Sequence, residues 1–521
     1  MVDWTRTETP AAWDFNPIAP NTSACGAGEG KTFEVGTGKT YANPRDVPWL
    51  SLMPCDVVKI YYRSTPYTDI VFVASRGEKN KWITIEGVAG PNGERPVFDG
   101  GGAVMPKATG ASQWDDSVAM FIVQSPVSDV APNRAAGYKP GYLHITGFKI
   151  QNAKPASKVT NLAGKTINWD NFSSGIYASG VEHFAVSNCE LSNNGLGLFV
   201  NSTNDSLMQS RDIQVTRNYI YNNGNVGSFS EHNAYVEAIG TTYEYNYFGG
   251  VLKGSYGYNL KERSPGMVFR HNYVYGNGLA LQDPDSNAAY ERYNAYDKWG
   301  VDMNAEVFVY NNIFVLSALP GTAASDQESN DIIQHGSGGT VSSSNPQIRY
   351  GTIYFYKNRV ETKFDARRTY VMGTSGSGEE IDDKVSLFTI ANTRLPTTVD
   401  ARMNLFHASP LTSGATARGL ALFTLQGKAN FLSNWISPFI NYGYLAPWGD
   451  MIVGTPFDGS GLNGLTGSTA SPGYVSASTG NYLTTSSSPF ASLSAAYASA
   501  VTERGLTIAS GVEPVVTPFG Q

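Results

Sequence analysis

Residues Glu231–Asn277 read EHNAYVEAIGTTYEYNYFGGVLKGSYGYNLKERSPGMVFRHNYVYGN. The stretch holds two near-copies of one unit. In the first, Asn233-Ala-Tyr235-Val-Glu237 leads to Asn246-Tyr-Phe248; in the second, Asn259-Leu-Lys261-Glu-Arg263 leads to Asn272-Tyr-Val274. Each unit runs 13 residues between its two Asn (233 to 246, 259 to 272), and the copies lie 26 apart (233 to 259). A period of this size belongs to a solenoid, whose units stack and cannot bury their apolar faces singly. Four side chains set the copies apart from their surroundings: Tyr235, Glu237, Lys261 and Arg263.

The same column extends to both sides. Phe148-Lys-Ile150, Cys189-Glu-Leu191, Asn218-Tyr-Ile220, Asn246-Tyr-Phe248, Asn272-Tyr-Val274 and Asn312-Ile-Phe314 align, with steps from Cys189 of 29, 28, 26 and 40. The column reads as an inward Asn ladder at a turn, with Cys189 a structural stand-in for Asn. Gly-Asn and Asn-Asn pairs after the strands supply left-handed corners. Nearer the N-terminus, short β runs punctuated by Gly, Pro and Asn cover Val57–Tyr62, Ile70–Val73, Trp82–Gly87 and Pro96–Gly100. On these signals the fold class is all-β, a β-solenoid or a sandwich; the stretch resembles the opening of secreted right-handed parallel β-helix proteins, which implies a right-handed parallel β-helix with capping segments. Its expected division is an irregular segment over 1–40, the β-helix over 41–435 and a loop-rich C-terminal cap over 436–521, with Ala-rich helical character at 489–505.

The 521 residues include 55 Gly and 30 Tyr, carry only 16% charged residues and have a net charge of −7. With no basic stripe to neutralise phosphates, nucleic acid is excluded as a partner. No apolar run is long enough to span a membrane. No signal peptide is legible, and Met1-Val2-Asp3-Trp4 reads as the trimmed start of a mature, secreted chain. Cys25 and Cys55 fit either a disulfide or two buried thiols.

In a strand, residues i and i+2 share a face. Tyr235 and Glu237 then point one way, as do Lys261 and Arg263, and the 26-residue register sets Tyr235 beside Lys261 and Glu237 beside Arg263. Asn233 and Asn259 are expected on the same face, His232 at its corner, and Asp302 beside Lys261 from the next coil. A cation pair, a phenol, carboxylates and an imidazole on one rigid sheet suit β-elimination from a uronic-acid polysaccharide. That step needs the sugar carboxylate neutralised, a base at C5 and an acid at the leaving oxygen. Arg263 can grip the carboxylate bidentately. Lys261 serves as base if crowding by Arg263 lowers its affinity for protons, and Tyr235 or His232 as acid. Asn233, Glu237, Tyr258, Asn259 and Asp302 are the substrate-binding candidates, and the partner is an acidic polysaccharide. The alternative for this patch is a Glu237–Arg263 cross-strand ion pair and a solvated Lys261.

At these residues the chain resembles secreted bacterial right-handed β-helix proteins of the pectate-lyase-like superfamily. They carry His-Asn-x-Tyr and Gly-His-Asn-x-Lys-Ser-Arg-Ala on successive coils; here the matching stretches are His232-Asn233-Ala-Tyr235 and Gly257-Tyr258-Asn259-Leu260-Lys261-Glu262-Arg263-Ser264. The resemblance covers roughly residues 30–330 as fold and 232–264 as motif. It implies a lyase with Lys or Arg as base and Arg, Asn or Ca2+ as neutraliser. Tyr258, Glu262 and Ser264 depart from it, so a donor role held by the motif His falls here to Tyr258, Tyr235 or His232.

Two rival functions fit the same fold. A glycoside hydrolase needs two carboxylates about 5–5.5 Å or about 6.5–9.5 Å apart, and Glu237 with Asp302 are the candidates. A non-catalytic carbohydrate-binding surface protein is the other. For cofactors, Asp283-Pro-Asp285-Ser-Asn287 offers oxygen ligands to Ca2+ without completing a set. No zinc-type Cys/His spacing, nucleophile elbow or phosphate loop is present.

Overall fold

A computed structural model describes residues 20–106, 116–126, 138–202, 208–264, 266–282, 307–317, 332–336, 351–364, 369–370, 381–382, 385–390, 397–410, 420–425, 428–432, 434–436, 440–444, 466–467, 474–476 and 481–484. These fall into two compact units, one of residues up to 264 and one from 266 onward. Among the described residues helical structure is confined to a 3-10 turn, Pro44–Asp46, and the single 3-10 position Met208.

The first unit has three parallel sheets. One runs through Thr32–Val35, Val57–Tyr61, Ile83–Val88, Gly141–Thr146, Glu182–Ser187, Arg211–Thr216 and Ile239–Glu244. A second runs through Val97–Asp99, Lys149–Gln151, Glu190–Ser192, Tyr219–Tyr221 and Tyr247–Phe248. The third holds the candidate residues: β1 (Val71–Val73), β2 (Ala119–Val123), β3 (Ser174–Ser179), β4 (Leu196–Asn201), β5 (Ala234–Val236) and β6 (Leu260–Glu262). The chain visits the sheets in rotation, one strand of each per turn, so the fold is a right-handed parallel β-helix. The second unit repeats the plan, with sheets beginning at Met267–Arg270, Tyr273–Gly276 and Leu279–Gln282.

Like residues stack along the coil. Phe121, Ile176, Leu198, Ala234 and Leu260 pair in register across β2 to β6, and all are buried. Each such large side chain removed from water contributes about 1.5–3 kcal/mol. The polar counterpart is the Asn ladder. Asn218 donates to Val186 O and Asn246 Oδ1, and its own Oδ1 accepts the Cys189 N–H at 2.9 Å. Cys189 thus ends this ladder at the position the repeat assigns it, and burial pushes its thiol up to about 11. In the second unit the ladder runs Asn272, Asn312, Asn358, Asn404, Asn434.

The corner before seven of the column positions is left-handed without a Gly. Asn188, Arg217 and Tyr245 have φ between 50° and 57°, as do His271, Asn311, Lys357 and Met403 in the second unit. The Gly-Asn and Asn-Asn pairs expected to make the corners contribute a further set, with Asn193, Asn222 and Gly276 also at positive φ. Bonds from the ladder hold the backbone firmly enough for ordinary side chains to bear the strain.

At the N-terminal end Cys25 and Cys55 form a disulfide with Cα atoms 5.9 Å apart. Cys55 itself is left-handed, at φ 71°, and Gly30 packs so closely that a Cβ there would stand 2.2 Å from Cys55 O. No helix among the described residues is long and apolar enough to cross a membrane. The helical character expected at 489–505, the Asp283–Asn287 loop and Asp302 lie outside the described residues.

Candidate active site

Along the third sheet an outward row parallels the buried one. Tyr177, Phe199, Tyr235 and Lys261 pair in register across β3 to β6. Tyr177 and Phe199 meet edge to face at 5.3 Å, and Phe199 and Tyr235 stack at 5.0 Å. Lys261 Nζ lies 4.8 Å and Arg263 Cζ 5.6 Å from the Tyr235 ring centroid. The register Tyr235↔Lys261, Val236↔Glu262 carries the next residues, Glu237 and Arg263, side by side. A phenol ring thus has aromatic carbon beneath it and two cations over it, an arrangement that holds both cations through the ring quadrupole.

His232 stands at the corner entering β5, 2% exposed. Its ring meets Tyr235 edge to face at 5.8 Å and lies 6.2 Å from Tyr258. The Tyr258 N–H donates to Nδ1 at 2.9 Å, so the ring proton belongs on Nε2, which has no hydrogen-bond partner among the described residues. Burial, with the charges of Lys261 and Arg263, holds the imidazole well below its usual range. His232 is therefore a neutral group with an unspent Nε2–H donor. The loops carrying it and Tyr258 touch backbone to backbone: a Cβ on Gly257 would stand 1.9 Å from Glu231 O.

Asn233 and Asn259 lie elsewhere than the sequence reading placed them. Both are fully buried and form a second inner ladder, Asn194–Asn223–Asn233–Asn259. Asn233 Nδ2 donates to Asn259 Oδ1 at 2.7 Å and to Gly250 O at 2.8 Å. They precede their strands by one residue, at a corner, where two-residue alternation does not hold. They turn inward, behind the face that carries Tyr235 and Lys261. Glu237 follows Tyr235 on the outer side but is 1% exposed, and its carbonyl accepts from Ser202 Oγ. Tyr258 is half-buried against His232.

Two residues escaped the sequence reading. Glu262 continues the inward column Val123, Ala178, Val200, Val236 as a carboxylate. It accepts from Tyr243 Oη at 2.5 Å and from the Ser264 N–H at 2.9 Å, while Ser264 Oγ takes the Ala238 N–H at 2.8 Å. Burial and the Glu262 charge raise the Tyr243 phenol well above its usual range. These bonds fix the strand that turns Lys261 and Arg263 outward. The signal was present as the departure of Glu262 from the Ser of the motif. Glu231, buried beside His232, has one carboxylate oxygen without a hydrogen-bond partner among the described residues.

No protein-family model and no curated protein matches the sequence. Solved structures do. An alginate lyase from Paenibacillus sp. str. FPU-7 aligns at 13% identity and TM-score 0.40, over 74% of this chain and 96% of its own. The tailspike protein of E. coli bacteriophage HK620, in complex with a pentasaccharide, aligns at 12% and 0.43 over 74% of this chain, which spans 56% of the tailspike. DFA-IIIase from Arthrobacter chlorophenolicus A6 aligns at 12% and 0.36, over 75% of this chain and 84% of its own. Among the described residues no cluster of three or more His, Cys, Asp or Glu is placed to hold a metal ion.

Proposed function

We propose that the protein is an extracellular polysaccharide lyase that cleaves a uronic-acid-containing polysaccharide by β-elimination, with the outer face of β5 and β6 as its centre. The observation that carries this reading is the convergence of Lys261 and Arg263 on one Tyr235 ring beside an imidazole kept neutral. In this mechanism Arg263 and the Nε2–H of His232 engage the sugar carboxylate, stabilising the negative charge that spreads into it as the C5–H bond breaks. Lys261 takes the C5 proton. The electron pair forms the C4–C5 double bond, the C4–O4 bond breaks, and the Tyr235 hydroxyl protonates O4. The Cys25–Cys55 disulfide fits an oxidising compartment outside the cytoplasm. Resemblance at 232–264 to pectate-lyase-like proteins supports the same chemistry.

The test is ultraviolet absorbance of the conjugated double bond during incubation with a panel of polyuronates, with and without chelator. Lys261→Ala and Arg263→Ala should each lose about a hundredfold or more, and Tyr235→Phe about 10²–10⁴-fold with the fold intact. His232→Gln, which keeps a neutral donor, should retain more activity than His232→Ala. A flat trace with new reducing ends would replace elimination by hydrolysis and move attention to Glu237 and Asp302. Chelator sensitivity would point to a Ca2+ requirement.

A further inference from the structure

Large apolar side chains are seldom left in water without a use, and here three share one column of loops. Phe172, Val226 and Phe229 are 42%, 74% and 62% exposed, on the segments leading into β3 and β5. The next loop, leading into β6, adds Tyr256, whose ring stacks on Phe229 at 4.5 Å and 30°. This surface is built, not frayed. Gly227 N–H donates to Gly254 O at 2.7 Å, Tyr256 N–H to Ser228 O at 2.8 Å and Leu252 N–H to Asn223 O at 2.9 Å. Asn225 Nδ2 reaches Asn171 O at 2.9 Å and ties in the loop of Phe172. One side of the Phe229 ring is thus supported by Tyr256 while most of the side chain remains in solvent.

The same two loops carry the chemistry described above. His232 follows Phe229 by three residues, and Tyr258 follows Tyr256 by two. The stripe and the candidate centre thus share the loops that enter β5 and β6. A rigid exposed ring rimmed by hydroxyl and amide groups (Ser228, Ser230 and Asn225) matches a pyranose, which offers an apolar C–H face within a hydroxyl rim.

We propose that Phe229, backed by Tyr256, is a stacking subsite for a sugar ring of the bound polysaccharide, one or more residues away from the bond that reacts. This deepens the lyase reading and rests on it for the choice of polymer, but stacking itself does not depend on cleavage. The test uses the full chain in gels containing alginate, polygalacturonate, hyaluronan or neutral mannan, reading retardation and, separately, double-bond formation. Phe229→Ala should weaken retardation about tenfold, and Phe229→Trp should preserve it. Added salt should leave the Phe229 effect intact while shrinking that of Arg263→Ala. Retardation lost in Phe229→Ala without any double bond formed by the wild type would sink the lyase reading and uphold the subsite. Unchanged retardation in Phe229→Ala overturns the subsite, as does a wild type that none of the polymers retards. A dimer that dissociates in Phe229→Ala with retardation intact would assign the stripe to a second copy of the chain, and also overturns it.

Discussion

A buried histidine that resists protonation has a cost that appears as pH falls. His144, its Nε2 2.7 Å from Ser187 Oγ, is lowered by burial to about 4, and His232 is lowered in the same sense. Unfolded, an imidazole titrates near 6.5. Between that pH and about 4 the unfolded chain binds a proton that the folded chain refuses, so stability falls as pH drops through this window. For His144 the loss is on the order of 3 kcal/mol in all. Glu182 extends the trend downward: burial opposes its charge, but Lys139 and Arg76 outweigh burial and bring it to about 2. Its stabilisation is fully present above about 4.5 and is lost as pH falls toward 2. Melting temperature should accordingly decline from pH 6.5 downward, and His144→Gln should flatten the upper part of that decline. An equal slope in the variant would show that His144 carries none of it.

At the scale of the element, the ladder explains both what the sequence disclosed and what it hid. The step of 26 between Asn233 and Asn259 set the register of β5 on β6 correctly: Ala234, Tyr235 and Val236 pair with Leu260, Lys261 and Glu262. Alternation then misplaced Asn233 and Asn259, because it was extended past the strand into a corner where the amides turn inward. Asn358, Asn404 and Asn434 were not read because steps of 46 and 30 break the period that made the earlier column visible. Phe229 and Tyr256 lay in loops, where no strand pattern singles out an aromatic. Asn218 serves the Cys189 N–H and Val186 O at once, so Asn218→Ala should cost about 2–4 kcal/mol by leaving both buried groups unpaired. Cys189 ends this ladder with a buried thiol where the repeat otherwise carries an amide. Cys189→Asn should continue the ladder and hold or raise the melting temperature, where Cys189→Ala lowers it. A stability loss in Cys189→Asn as large as in Cys189→Ala would mean that the site is fitted to sulfur alone.

Over a whole solenoid, stability is close to a sum of coil terms and nearest-neighbour terms, so damage at one end should stay there. The Cys25–Cys55 disulfide closes a loop over 30 residues at the N-terminal end. Within that loop Thr32–Val35 is the edge strand of its sheet and pairs with Val57–Tyr61. Cross-linking such a loop stabilises by about 3–4 kcal/mol through the entropy removed from the unfolded chain. Reduction, or Cys25→Ala, should then release this first coil and speed amide exchange across 32–61. The strands from Ser174 to Val236 are bonded to later coils of the same unit and should keep their protection. The proposed elimination, assigned to Tyr235, Lys261 and Arg263, should persist for the same reason. Cys55 adds a second effect, because its left-handed backbone strains any side chain. Cys55→Gly should therefore lose less than Cys55→Ala, by about 1 kcal/mol. Hydrogen exchange resolved by segment decides the matter. If reduction deprotects β3 to β6 together with the first coil, the first unit unfolds as one cooperative body, and the disulfide stabilises the active face directly.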